Sequence, residues 1–233
     1  MGAVIEVRGL RFTYADGSRA LDGLDFTLQE GETVALLGPN GSGKTTFVLH
    51  LNGLLRGEGE IKVCGEALTS ESLKRVRRKV GLVFQDSDEQ LFMPSVLEDV
   101  AFGPRNQGLS AAEAERIARK CLDQVGVGHL GHKAPYHLSS GEKRRVALAG
   151  VLAMSPEVLV LDEPTTYLDP PGERQLSKLL RTLPQSKIIV THDVPFARAV
   201  ATRAVFFEKG RIAAEGPVDE IAARFRWTWD LED

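Results

Sequence analysis

Three short stretches of this chain combine residue types that could handle a nucleoside triphosphate. The first is Gly38-Pro39-Asn40-Gly41-Ser42-Gly43-Lys44-Thr45, which has the spacing G-x-x-x-x-G-K-[ST]. Its glycines let successive backbone N–H groups turn inward around phosphate oxygens, and a helix starting there adds partial positive charge. Lys44 can then reach the β- and γ-phosphates, and Thr45 can offer its hydroxyl to Mg²⁺. The second stretch is Val158-Leu159-Val160-Leu161-Asp162-Glu163. An apolar run closed by two acids puts carboxylates at the end of a strand, where α/β sheets bind ligands. Asp162 would hold Mg²⁺, directly or through water, and Glu163 would polarise the attacking water as general base. In isolation such acids read as a solvated strand end; the upstream phosphate loop turns the reading toward chemistry. The third is Leu138-Ser139-Ser140-Gly141-Glu142. Alone, its Ser-x-x-Glu spacing says no more than a helix capping box.

Taken together and in this order, the three stretches resemble the nucleotide-binding subunit of an ABC transporter, over essentially the whole chain. Many NTPases share the loop and the acids. The serine–glycine stretch just ahead of the acid-bearing strand is what marks this family. The resemblance implies an ATP hydrolase that acts as a translocase subunit, with ATP as substrate and Mg²⁺ as cofactor. ATP would lie on Gly38, Pro39, Asn40, Gly41, Ser42, Gly43, Lys44, Thr45 and Thr46, with its adenine on Tyr14; the plainer alternative for Tyr14 is a tyrosine in a strand core. Thr45, Gln85 and Asp162 would hold Mg²⁺. Glu163, His192 and Lys44 would be catalytic, His192 at the γ-phosphate. Ser139, Ser140, Gly141 and Glu142 would act in trans on ATP held by a second ATPase subunit, identical or related. Leu168 and Asp169 would cross to that subunit.

A finer resemblance lies in Phe84–Phe92, in Val96–Pro104 and in Arg144–Gly150. These look like the matching segments of energy-coupling-factor importers, especially the cobalt and nickel branch; the vitamin branch or another ABC importer is the alternative. The partners implied are a polytopic membrane subunit and, indirectly, a substrate-binding membrane subunit. The place implied is the cytoplasmic face of the cell membrane, held peripherally. Three positions depart from the family pattern. Ser140 and Glu142 stand where Leu-Ser-Gly-Gly-Gln is usual, and a left-handed backbone at Ser140 would cost about 1–2 kcal/mol. Glu142 would also bring an anion near nucleotide, and Tyr167 is bulkier than the glycine common before Leu-Asp.

The elements that must position these residues can be read from patterning. Val4–Tyr14 reads as a strand turning at Ala15–Gly17, Thr33–Leu37 as a buried strand, and Thr45–Leu55 as the helix after the phosphate loop. Ser110-Ala-Ala-Glu113 caps a helix running to about Val125, and the stretch up to Ala153 holds helices and no strand. Strands resume at Val158–Leu161 and Lys187–Val190, then a hairpin turns at Lys209–Gly210. The tail reads as a short helix that ends in Arg226–Asp233, with Trp227 and Trp229 capping the core or covering a partner. This gives an α/β fold, and with the resemblance a P-loop NTPase of the ABC ATPase type. Its RecA-like core would carry an N-terminal antiparallel β subdomain and an inserted helical subdomain. One domain would span 1–233, with core segments 1–85 and 151–233 and the insertion at 86–150.

Composition sets the remaining bounds. At 233 residues, 42% hydrophobic and 26% charged, the chain is an ordinary globular protein. The 29 basic residues against 32 acidic ones exclude a strongly basic nucleic-acid binder, and no nucleic-acid partner is expected. Cys64 and Cys121 lie far apart with no metal-ligand spacing and read as reduced thiols. No apolar run is long enough to span a bilayer, and the first residues carry no signal-peptide core. An ABC ATPase of DNA repair would need a long coiled-coil insertion. A translation factor would need two cassettes, and a small-molecule kinase would lack Ser139–Gly141 and His192. A non-catalytic, ATP-gated scaffold stays open.

Overall fold

The computed structural model describes residues 2–227. The chain opens with two long strands, β1 (Ala3–Thr13) and β2 (Arg19–Gln29), paired antiparallel, before the short β3 (Thr33–Leu37) feeds the phosphate loop and α1 (Lys44–Leu51). β4 (Glu58–Val63) returns beside β1 and bears β5 (Glu66–Ala67), giving a four-stranded antiparallel sheet in the order β2-β1-β4-β5. α2 (Leu73–Lys79) then leads into β6 (Val80–Val83). Three helices follow without an intervening strand, α3 (Val96–Asn106), α4 (Ala111–Gln124) and α5 (Ser140–Ala153), and they pack on one another. The first of these was not assigned from patterning. β7 (Val158–Asp162), α6 (Pro170–Thr182), β8 (Ser186–Val190) and α7 (Val194–Val200) alternate, and the hairpin of β9 (Arg203–Glu208) and β10 (Arg211–Gly216) comes next. The last described helix, α8 (Val218–Arg224), stops before Arg226.

The second sheet has the order β10-β9-β3-β8-β7-β6, and every pairing except the β9–β10 hairpin is parallel. All five residues of β3, β7 and β8 are buried. That is what near-continuous apolar runs produce when a parallel sheet is covered on both faces. Alternate side chains serve different layers. Leu36, Val160 and Ile188 pack with Phe47 and Leu51 of α1 and with the antiparallel sheet, while Leu159, Leu161 and Ile189 pack with Val100, Leu122 and Val146 of the helices. Phe47 is fully buried, a burial that contributes about 1.5–3 kcal/mol. Phe206 stacks on Phe225 at 3.8 Å and meets Trp227 edge-on at 5.5 Å, so Trp227 caps the core beneath α8. Trp229 lies outside the described residues.

Because β3, β6, β7 and β8 are parallel, their C-terminal ends lie on one side of the sheet. The phosphate loop, the Gln85 loop, Asp162–Glu163 and His192 all leave from that side. No described helix is long and apolar enough to cross a membrane.

Candidate active site

The loop between β3 and α1 is forced by two glycines. Gly38 has φ 133°, and a Cβ there would collide with the Phe207 carbonyl; Gly43 has φ 103°, and its Cβ would lie 2.5 Å from the Ala20 carbonyl oxygen. Only glycine lets the turn sit this close to the neighbouring backbone. Lys44 is 7% exposed, and its ammonium donates to the Gly38 and Pro39 carbonyls at 2.7 and 2.9 Å. Burial pushes its pKa down, opposed by the nearby charges of Glu163 and Asp162. Thr45 donates its hydroxyl to Asp162 Oδ2 at 2.9 Å, which ties α1 to the end of β7.

Asp162 is 6% exposed, and its second oxygen, Oδ1, is buried without a hydrogen-bond partner among the described residues. Burial raises the pKa of this carboxyl; the Thr45 hydrogen bond and the Lys44 and Arg144 charges act against that, while Glu163 adds to it. A buried anion left half-satisfied is what a bound cation would complete. The available donors are oxygens of a carboxylate, the Thr45 hydroxyl and the Gln85 side chain, the hard set that suits Mg²⁺. These residues therefore fit the ion.

Glu163 adopts φ 43°, a left-handed backbone, and is 9% exposed. Its N–H donates to the Val190 carbonyl at 2.9 Å, so β8 holds the turn in place. Its Oε2 lies 2.9 Å from His192 Nδ1, an ion-pair distance without the alignment of a hydrogen bond. His192 follows β8 and is half exposed. Tyr14, directly after β1, is 40% exposed and is no core residue. Its hydroxyl pairs with Thr46 Oγ1 at 2.9 Å, and its ring meets Phe12 edge-on at 4.9 Å. Tyr14, Lys44, Thr45, Gln85, Glu163 and His192 share one cleft of about 580 Å³. Asn40, Gly41, Gly43, Thr46 and Asp162 also line this cleft, as does Arg19 at the start of β2, which no sequence pattern singled out. Gln85 projects from the loop after β6, whose Phe84 and Gln85 carbonyls accept from the Arg144 guanidinium at 2.6 and 2.7 Å.

Ser139 caps α5 and forms the full capping box with Glu142. Glu142 Oε2 accepts from the Ser139 N–H and hydroxyl, both at 2.8 Å, and Ser139 Oγ accepts from the Glu142 N–H. The Glu142 carboxylate is thus turned back into its own helix cap, and the Ser139 N–H holds its pKa low. Ser140 is the first helical residue and is not among the left-handed positions, so the backbone strain considered for it does not arise. Tyr167 does stand in that region, at φ 65°, with its ring 81% exposed. Asp169 caps α6 by accepting from the Gly172 N–H at 2.8 Å. Ser139, Ser140, Gly141, Leu168 and Asp169 line a second depression, of about 420 Å³, which shares no lining residue with the phosphate cleft.

Comparison with known proteins bears on the whole arrangement. The family described as ABC transporter matches residues 21–166. A putative ABC transporter ATP-binding protein of Streptomyces avermitilis is 52% identical, over 94% of this chain and 84% of that protein. The energy-coupling factor transporter ATP-binding protein EcfA of Methanococcus maripaludis is 45% identical, over 94% of this chain and 81% of its own length. The solved structure of cbiO1 from Clostridium perfringens, described as part of the ABC transporter complex cbiONQ, superimposes with a TM-score of 0.87 at 37% identity. It covers 97% of this chain and 92% of that one.

Proposed function

The chain belongs to the ABC transporter family, as one of its ATP-hydrolysing subunits. On that premise we propose that it powers an energy-coupling-factor type importer of cobalt or nickel ions, as one half of an ATPase dimer on a membrane partner. The similarity to an EcfA protein and to a cbiONQ subunit supports the importer type. The observation that carries the dimer is the separation of the two depressions. The phosphate cleft and the Ser139–Gly141 helix start are different surfaces of one chain. Backbone N–H groups at the start of α5 suit an anion, and a second chain can bring them to the γ-phosphate held on the first.

In this reading ATP lies on Gly38–Thr46 with its adenine against Tyr14, and Lys44 exchanges the Gly38 and Pro39 carbonyls for the β- and γ-phosphates. Thr45, Asp162 and Gln85 would hold Mg²⁺, which supplies neutralising charge on the phosphate oxygens. Glu163 accepts a proton from the attacking water as its oxygen bonds to the γ-phosphorus and the bond to the bridging oxygen breaks, releasing ADP. His192, beside Glu163, steadies the transferring phosphoryl group. Only ATP carries the γ-phosphate that links the two chains, so hydrolysis reopens the dimer. The motion reaches the membrane partner through a groove of about 280 Å³ beside the 86–104 segment, where Phe92 is 64% exposed and packs edge-on against Phe102.

Co-expression with candidate membrane subunits tests the proposal. The expected result is a stable membrane complex whose nickel or cobalt uptake vanishes in Glu163→Gln. Uptake of a vitamin in place of the metals would overturn the solute. Salt-sensitive DNA binding with no membrane association would overturn the transporter itself.

A further inference from the structure

Arg19 is the first residue of β2 and pairs across the hairpin with Thr13, the last residue of β1. Tyr14 follows at once, and its N–H donates to the Ser18 carbonyl at 2.9 Å, so Arg19 stands beside the aromatic wall of the phosphate cleft. Its side chain is 66% exposed and lines that cleft. The acid within its reach, Asp22, is already served. Arg211 donates twice to Asp22 Oδ2, at 2.6 and 3.1 Å, and Arg11 lies 3.9 Å from Oδ1, whereas Arg19 Nη1 reaches Oδ1 only at 3.3 Å. The Arg211 hydrogen bond is the chief reason why the Asp22 carboxyl stays below its ordinary range, and the Arg19 charge is a lesser one. Three guanidinium groups thus share one carboxylate, and of the three only Arg19 lines the cleft. The base of this cluster is fixed against the phosphate loop. The Asp22 N–H donates to the Gly210 carbonyl and the Gly210 N–H to the Ser42 carbonyl, both at 3.0 Å.

A nucleotide in this cleft has its base at Tyr14 and its terminal phosphates at Lys44. Lys44 and Mg²⁺ serve the β- and γ-phosphates, which leaves the α-phosphate without a cationic side chain. That phosphate follows the sugar, on the Tyr14 side of the cleft, where Arg19 has donors to spare. A guanidinium fork matches phosphate oxygens in shape as well as charge. We propose that Arg19 binds the α-phosphate of the nucleotide, turning from Asp22 to the ligand, and so sets the affinity for nucleoside di- and triphosphates alike. The proposal rests on the reading of this cleft as the ATP site.

The test uses the full chain, with ADP and ATP titrated calorimetrically in chelator, so that neither metal nor hydrolysis enters. Arg19→Met is expected to weaken both nucleotides by the same factor, about tenfold, as for the loss of one charge-assisted hydrogen bond. Arg19→Lys should recover part of that loss, since the charge stays and the fork goes. Arg11→Met takes a charge from the same acid but not from the cleft, and should change either affinity by less than about twofold. In phosphorus NMR spectra of bound ADP, the α resonance should move between the parent and Arg19→Met while the β resonance stays. Unchanged affinity in Arg19→Met, a loss confined to ATP, or movement of the β resonance in place of the α would overturn the proposal. An equal loss in Arg11→Met would also overturn it, by reducing Arg19 to one charge in a general field. A parent chain that binds neither nucleotide would overturn the reading of the cleft itself, and the proposal with it. Should Arg19→Met not fold, Arg19→Lys decides the matter: undiminished affinity and an unmoved α resonance would overturn the proposal.

Discussion

Glu163 combines burial, a left-handed backbone and the neighbourhood of His192. A non-glycine residue in that conformation costs about 1–2 kcal/mol and persists only where surrounding structure fixes it. Here the Val190 carbonyl does so, aiming the carboxylate into the cleft rather than along the strand. Glu163→Gln should keep ATP binding and lower the hydrolysis rate by about 10²–10⁴-fold, the usual weight of a general base. Single-turnover phosphate release checks this, and near-normal turnover would remove Glu163 from that role. Tyr167 carries the same backbone strain with no buried ring to repay it. Tyr167→Gly should raise unfolding stability by up to about 1 kcal/mol, read from urea melts. At this scale the chemical types were legible in the sequence, because an apolar run ending in Asp-Glu announces its acids. The φ values were not, since nothing in the letters Glu163 or Tyr167 states which way the backbone turns.

Among the elements, α5 was the most legible, because Ser139 and Glu142 spell their capping box and the same turn presents the exposed Ser140. β3 and β7 were equally plain, since each holds four apolar residues in a row, and Ile188-Ile189-Val190 marks β8. β4 was not, for Val63 is its only buried residue and its alternation, Glu60-Ile61-Lys62-Val63, is short and begins on a glycine-broken stretch. α2 has a single buried residue, Val76, and α6 opens on Pro170 and Pro171, which fit the first turn of a helix yet look like a break. Within α1, His50 is completely buried; its Nδ1 bonds the Thr46 carbonyl at 2.7 Å, and its ring meets Phe12 edge-on at 4.8 Å. Burial lowers its pKa, so the native helix holds it neutral. Below about pH 6.5 the unfolded chain takes up a proton more readily than the native state does, and stability falls as the pH drops. His50→Phe should therefore shrink the stability difference between about pH 7 and pH 5.5, whatever its effect at pH 7, as measured by urea unfolding at both values.

At the scale of the molecule, parallel strands gather the ends of β3, β6, β7 and β8 around one cleft, while α5, Tyr167–Asp169 and the first turns of α6 build a separate depression. The motifs gave the ingredients of both, and the resemblance to known ATPases gave their order in space. Spacing along the chain alone could not tell whether Ser139 faces Lys44 of its own chain, because that depends on how the helices fold over the sheet. The two surfaces share no lining residue, and this makes the account depend on a second chain. Its central claim is best tested by the solution mass of Glu163→Gln, measured by light scattering with and without Mg-ATP. The account predicts monomer without nucleotide and dimer with Mg-ATP, and loss of the dimer when ADP replaces ATP. A mass that stays monomeric at saturating ATP would contradict pairing of two copies of this chain.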